Sequence, residues 1–287
     1  MNFPGLLSVV IPAYNEEGAV EGVVRKVRAV LTRAKVRHEI IVVDDGSRDG
    51  TARRAGKAKA HLVLMGENRG YGASLKAGIR HARGEWIAIL DADGTYPPEE
   101  LPLLLKNIDT NDMVVGARTL ADAAIPLSRR LPKWFLGQWA NYLAERKIPD
   151  LNSGMRVFRK SVCARYEGLF PNGFSFTTTI TLALECHGYI VKYVPVHYLN
   201  RVGKSKIRPF RDTVNFFALV LRVVMYFKPL KIFIPFSGII FLLSIASGIR
   251  AHFQGQGLTA MTLLLLVAGL QIAALGLLAD LLVKRGR

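Results

Sequence analysis

Over roughly the first 120 residues, short apolar runs rich in β-branched side chains alternate with stretches whose apolar positions recur every three or four residues. The runs at 6–11, 39–43, 60–65, 86–90 and 112–115 predict strands, and the stretches at 16–32, 50–58, 72–82 and 98–107 predict helices. A later run at 190–198 also reads as a strand. This alternation is that of an α/β domain with a mostly parallel central sheet, whose ligands bind beyond the carboxyl ends of the strands.

The C-terminal pattern is different. Residues 232–249 and 258–278 carry no charge at all. As helices they would be roughly 27 and 31 Å long, against a hydrocarbon core of about 30 Å. They predict a two-helix transmembrane hairpin with spans at about 232–249 and 258–280 and a short connection at 250–257. Lys228, Lys231, Lys284, Arg285 and Arg287 flank the outer ends, while the connection holds only Arg250, which places both termini in the cytoplasm. The preceding stretch, 211–231, contains the apolar run 214–227 and reads as an amphipathic juxtamembrane helix lying in the interface.

Composition sharpens this picture. The 287 residues hold 39 Lys+Arg and 22 Asp+Glu, so the net charge is 39 − 22 = +17, yet half of the residues are hydrophobic. That excludes intrinsic disorder, which pairs high charge with few apolar residues. Two cysteines, Cys163 and Cys186, exclude a disulfide-stapled module and read as buried thiols of a reducing compartment. No basic segment precedes the first apolar run, so no secretory signal is expected. The forty residues 192–231 hold nine basic side chains and one acidic, a composition suited to an anionic membrane surface.

Polar residues cluster where the parallel strands end. Pro12, Tyr14, Asn15 and Glu16 follow the first; Asp44, Asp45 and Ser47 the second; Gly70, Tyr71 and Gly72 the third; Asp91, Ala92 and Asp93 the fourth. Asp45-Gly46-Ser47 also reads as a simple turn, with Ser47 or Asp49 capping a helix, although adjacent carboxylates repel and persist more comfortably beside a cation or donor. Asp91 and Asp93, two apart on an extended backbone, would share one side and suit a hard divalent cation bound together with substrate phosphates. Gly70-Tyr71-Gly72 imitates a dinucleotide fingerprint, but Leu75 stands at the third glycine position. His197 reads as a packed or surface histidine.

Together, the segments 9–17, 42–51, 68–72 and 91–94 resemble family-2 inverting glycosyltransferases. Ser153-Gly154-Met155-Arg156-Val157-Phe158 and Arg201-Val202-Gly203-Lys204-Ser205-Lys206 are similar to the polyprenyl-phosphate branch, typified by dolichol-phosphate mannose synthase and undecaprenyl-phosphate glucosyltransferases. The resemblance implies a cytosolic GT-A catalytic domain over 1–210, and transfer of a hexose from a UDP- or GDP-sugar to a polyprenyl phosphate with inversion. Pro12, Tyr14, Asn15, Glu16, Asp44, Asp45, Gly70, Asp91, Ala92 and Asp93 would then bind the donor. Asp91 and Asp93 would hold Mg²⁺ or Mn²⁺. Arg118, Arg129, Arg130, Arg201, Ser205 and Lys206 would contact phosphates or the acceptor, with Asp91, Asp93, Arg118 and Arg201 catalytic. Arg129 and Arg130 lie in a proline-punctuated loop and read equally as surface charge. Mannose synthases usually carry glutamine where Thr95 stands, so neither a third ligand there nor a GDP-mannose donor follows. The implied partners are a nucleotide sugar, a lipid phosphate and the membrane, with no nucleic acid; self-association stays open. Two other readings remain: a membrane-bound transferase acting on a hydroxyl acceptor, and a basic membrane-anchored binding module.

Overall fold

The computed structural model describes residues 3–120, 138, 141–142, 145, 147–173, 175–199, 221, 225–226 and 228–285. The chain divides into two units, Met1–Phe217 and Ala218–Arg287. Arg129, Arg130, Arg201, Ser205 and Lys206, with most of the expected helix at 211–231, lie outside the described residues.

In the first unit seven strands form one sheet: β1 (Leu7–Ala13), β2 (His38–Asp44), β3 (His61–Leu64), β4 (Trp86–Ile89), β5 (Met113–Ala117), β6 (Arg156–Arg159) and β7 (Val191–Pro195). Their order is β3-β2-β1-β4-β6-β5-β7. Every pairing is parallel except the two made by β6, with β4 and β5. All seven residues of β1 are buried, which is why the strand reads as an apolar run interrupted only by Ser8 and not as an alternation. The described helices of this unit are α1 (Val20–Arg33), α2 (Thr51–Lys57), α3 (Tyr71–His81), α4 (Leu101–Leu105), α5 (Lys160–Arg165) and α6 (Phe176–Cys186). In α1 the buried residues Val20, Val23, Val24, Val27 and Leu31 form a single stripe. Close approach of α3 to the sheet depends on Gly78, where a Cβ would fall 2.4 Å from Val10 Cγ1.

The strands expected from the pattern are all present, and helix α1 begins four residues later than expected because residues 16–19 are used in a turn. The antiparallel β6 has no counterpart among the expected strands. It runs back beside β4, pairing Arg156 with Ile89, so the residues just before it arrive at the carboxyl edge of β4.

The second unit contains α7 (Leu230–Phe253) and α8 (Ala260–Arg285). Both are longer than the expected spans: at about 1.5 Å per residue, 24 and 26 residues reach roughly 36 and 39 Å. Their buried residues repeat every seven positions, Ser237, Ser244 and Ala251 on α7 and Thr262, Gly269 and Gly276 on α8. A seven-residue repeat is the seam of a left-handed helix pair, and small residues let the backbones approach. Ser237 Oγ donates to the Gly269 carbonyl and Ser244 Oγ to the Thr262 carbonyl, each at 2.9 Å. Phe233 packs where a Cβ on Gly276 would sit 2.5 Å away. Most of the large apolar side chains face outward, Leu242 at 67% and Leu264 at 66% exposure among them. Both helices are long and apolar enough to cross a membrane, and an outward apolar surface of this extent suggests a membrane anchor.

Candidate active site

The loops after β1, β2 and β3 are tied together by hydrogen bonds. Asn15, in the left-handed region at φ 53°, donates its N–H across to Ser47 Oγ at 2.9 Å. Its side-chain oxygen accepts from Arg48 N at 2.9 Å. Glu16 N donates to Thr51 Oγ1 and Gly50 N to Glu17 Oε2, at 2.8 and 2.7 Å. Pro12 is buried within β1, while Tyr14 and Glu16 are partly exposed beyond it.

Asp44 and Asp45 are both buried, at 6% and 4% exposure, and each finds its own donors. Asp44 Oδ1 accepts from the N–H and hydroxyl of Ser47. Asp45 Oδ1 and Oδ2 accept from Arg69 N and Gly70 N at 2.8 and 2.9 Å. Backbone amides therefore satisfy Asp45 without a ligand, and the carboxylate fixes the loop that carries Gly70. Gly46 makes this contact feasible: φ is +71°, and a Cβ would lie 2.6 Å from the Glu67 carbonyl carbon.

Beyond β4 the expected extended Asp91-Ala92-Asp93 is instead a turn over Ala92 and Asp93, followed by Gly94 at φ +74°. Each carboxylate is held by its own partner beside this turn, and strand alternation does not set their orientation. Asp91 Oδ1 accepts from the Tyr71 hydroxyl at 2.9 Å. Asp93 Oδ1 accepts from Thr95 N and Thr95 Oγ1 at 3.1 and 2.7 Å. Thr95 thus orients Asp93. Burial first, then the adjacent Asp91 charge, raises the Tyr71 phenol well above its ordinary pKa, so it stays a donor.

Behind Asp91 lies Gly154, where a Cβ would fall 2.1 Å from Asp91 Oδ2. Gly154 N donates to the Tyr96 hydroxyl at 2.7 Å. The glycine is required by the close approach of the chain entering β6 to the end of β4. Gly72 has a similar role against the 171–173 segment, since a Cβ there would lie 2.2 Å from the Pro171 carbonyl oxygen.

Arg118 does not stand open at the site. Its Nε and Nη2 each donate to Asp150 at 2.7 Å, and its guanidinium lies 5.3 Å from the Tyr198 ring centroid. Burial disfavours both charges, but the mutual hydrogen bonds prevail, holding Arg118 above and Asp150 below their ordinary pKa values. Asp150 lies 32 residues from Arg118 in the chain and no spacing announced it; Tyr71, Tyr96 and Gly154 were visible only as motif letters, without roles.

The donor set at Asp91 and Asp93 suits a hard divalent cation, because both are carboxylates and both stand at the turn just beyond β4. Among the described residues no group of three or more His, Cys, Asp or Glu is placed to hold a metal ion. A cation here would therefore complete its shell with diphosphate and water oxygens, the usual habit of Mg²⁺.

A mostly parallel sheet with interlocked loops and a carboxylate turn at its carboxyl edge defines a GT-A-type glycosyltransferase domain. Residues 8–166 match the Glycosyl transferase family 2 family, and the chain belongs to it. Residues 228–284 match the GtrB C-terminal hairpin. Among its relatives, the chain is 29% identical over 305 residues to undecaprenyl-phosphate 4-deoxy-4-formamido-L-arabinose transferase of Pseudomonas aeruginosa, covering 96% of this chain and 85% of that one. It is 32% identical over 206 residues to dolichyl-phosphate hexose transferase of Haloferax volcanii, covering 71% and 87%. The match to the low-salt glycan biosynthesis hexosyltransferase Agl6 of the same organism, 30% identical over 212 residues and 72% of this chain, spans only 51% of that relative. Among solved structures, glucosyl-3-phosphoglycerate synthase from Mycobacterium tuberculosis, in complex with Mn²⁺, UDP and phosphoglyceric acid, superposes with a TM-score of 0.61 at 19% identity. That superposition covers 77% of this chain and 79% of that one, and it shows the shared fold.

Proposed function

We propose that this glycosyltransferase moves a hexose from a UDP- or GDP-sugar to a polyprenyl or dolichyl phosphate, with inversion and with Mg²⁺ or Mn²⁺ at Asp91 and Asp93. The observation that carries the choice of acceptor is the start of α6, Phe176-Thr177-Thr178-Thr179: the sequence has no acidic residue between Glu167 and Glu185. A hydroxyl acceptor needs a base at the moment of attack. A phosphate monoester is already anionic at neutral pH, so its oxygen can attack the anomeric carbon while the C–O bond to the nucleoside diphosphate breaks. The names of the relatives in Pseudomonas and Haloferax, both polyprenyl-phosphate transferases, support the same acceptor.

A divalent cation held by the two carboxylates would supply Lewis-acid stabilisation of the charge on the leaving diphosphate; the Mn²⁺ and UDP in the mycobacterial structure support this assignment. The chain's own residues do the rest. Tyr71 and Thr95 fix the two carboxylates, and Asp45 fixes the backbone at Gly70. The loop Pro12–Glu16 with Asp44 receives the nucleoside. Arg129, Arg130, Arg201, Ser205 and Lys206 attract the phosphates, whereas Arg118, expected from the motif to do the same, is committed to Asp150. The catalytic domain, 1–210, faces the cytoplasm, joined through the interfacial stretch 211–231 to the hairpin at 232–287. The test is to incubate purified protein with UDP- and GDP-sugars, polyprenyl phosphate and Mn²⁺, and to identify lipid products by mass. A lipid-monophosphate sugar is expected, and none from Asp93→Ala; full activity in that variant would remove the cation assignment.

A further inference from the structure

Arg156 is wholly buried at the start of β6, and among the described residues its side-chain hydrogen bonds end on uncharged oxygens. Nε and Nη2 both donate to the Ser153 carbonyl, at 3.1 and 2.6 Å. Nη1 donates to the Thr177 carbonyl and to Thr181 Oγ1, each at 2.9 Å, both on α6. Burying a cation costs several kcal/mol in effective terms, and apolar side chains often serve stability as well or better. A guanidinium at this position therefore calls for a reason other than stability.

The reason lies in the peptide it grips. The Ser153 carbonyl and the Gly154 N–H belong to one planar unit. Its oxygen is held by Arg156 and its N–H by the Tyr96 hydroxyl at 2.7 Å. With both ends held, the orientation of the plane is set, and Gly154 is pressed against the Asp91 carboxylate, where a Cβ would lie 2.1 Å from Oδ2. We propose that Arg156 is a positioning residue that seats Asp91 through the Ser153–Gly154 peptide and locks α6 to the same peptide. The planar fork, and not the positive charge alone, does this: a lysine ammonium is a point charge and cannot place two donors on one oxygen while a third reaches α6.

This inference rests on the cation site proposed above, and Mn²⁺ binding separates the two. The probe is Mn²⁺ with UDP and GDP, followed by electron paramagnetic resonance on the detergent-solubilised full chain, alongside circular dichroism melts. Arg156→Lys is expected to weaken Mn²⁺ binding about tenfold with a melting temperature within a few degrees of wild type, and to add little to the loss already caused by Gly154→Ala. Wild-type Mn²⁺ affinity in Arg156→Lys overturns the proposal, as do losses that simply multiply in the double variant, because residues acting through one contact are not additive. Should Arg156→Lys fail to fold, Thr181→Val decides: removing one acceptor of Nη1 should weaken binding about threefold, and an unchanged affinity overturns the clamp. Unchanged affinity in Asp93→Ala would instead defeat the cation site itself, and the inference with it.

Discussion

Gly154 and Asp91, 63 positions apart in sequence, meet so closely that the glycine has no room for a methyl group: a Cβ would stand 2.1 Å from Asp91 Oδ2. Gly154→Ala must displace either the carboxylate or the chain entering β6. Overpacking of this kind costs about 1–3 kcal/mol. Transfer activity should fall more than tenfold while the melting temperature drops only a few degrees, as measured by initial rates and thermal melts on the same preparation.

Tyr71→Phe removes the phenol that donates to Asp91 while leaving the ring in place. A hydrogen bond to a charged group contributes about 1.5–3 kcal/mol. Where that energy is expressed in the transition state, kcat should fall roughly ten- to a hundredfold. A rate within twofold of wild type would mean that Asp91 is held by other contacts.

The Arg118–Asp150 pair makes stability depend on pH in the acid range. The folded-state pKa of Asp150 lies below its ordinary value because Arg118 outweighs the burial penalty. Its contribution is therefore complete above the unfolded carboxylate range, about pH 4, and disappears as pH falls through the folded pKa. Asp150→Ala should be less stable than wild type by about 3 kcal/mol at pH 7, leaving Arg118 unpaired. The gap between the two proteins should narrow in melts taken below about pH 4.

The hairpin gives a prediction independent of the chemistry. Gly276→Leu would collide with Phe233 and part the seven-residue seam. Stability of the hairpin in detergent should fall, while nucleotide binding by the first unit stays at its wild-type level. Deleting 232–287 should likewise weaken use of long lipid acceptors more than it weakens nucleotide binding; equal losses would count against a separate anchor.

The inner parallel strands β1, β2, β4 and β5 were legible because they are buried on both faces and read as nearly continuous apolar runs, while the edge strands β3 and β7 are partly exposed and were read from their β-branched and apolar content. The positions of Asp44, Asp91 and Asp93 followed from where those runs stop. The antiparallel β6 was not legible: it is only four residues long, Arg156 opens it, and a charged residue at a strand start looks like a boundary. Missing β6 concealed why Gly154 and Arg156 sit at the end of β4. The hairpin was recognisable from its uncharged runs, yet its helices extend past them, since Lys231 and Arg250 can reach outward from helical turns near the ends. The ion pair between Arg118 and Asp150 has no local signature, because its partners stand 32 positions apart in the sequence.

The proposed acceptor is a phosphate. This is tested most directly by offering the purified protein a polyprenyl phosphate and the corresponding free polyprenol together, with Mn²⁺ and a labelled sugar nucleotide. The label should appear only on the phosphate, as a lipid-monophosphate sugar of inverted anomeric configuration, and should vanish on chelation of the metal. Label on the polyprenol or on an added glycan hydroxyl, or transfer that persists after chelation, would contradict the account.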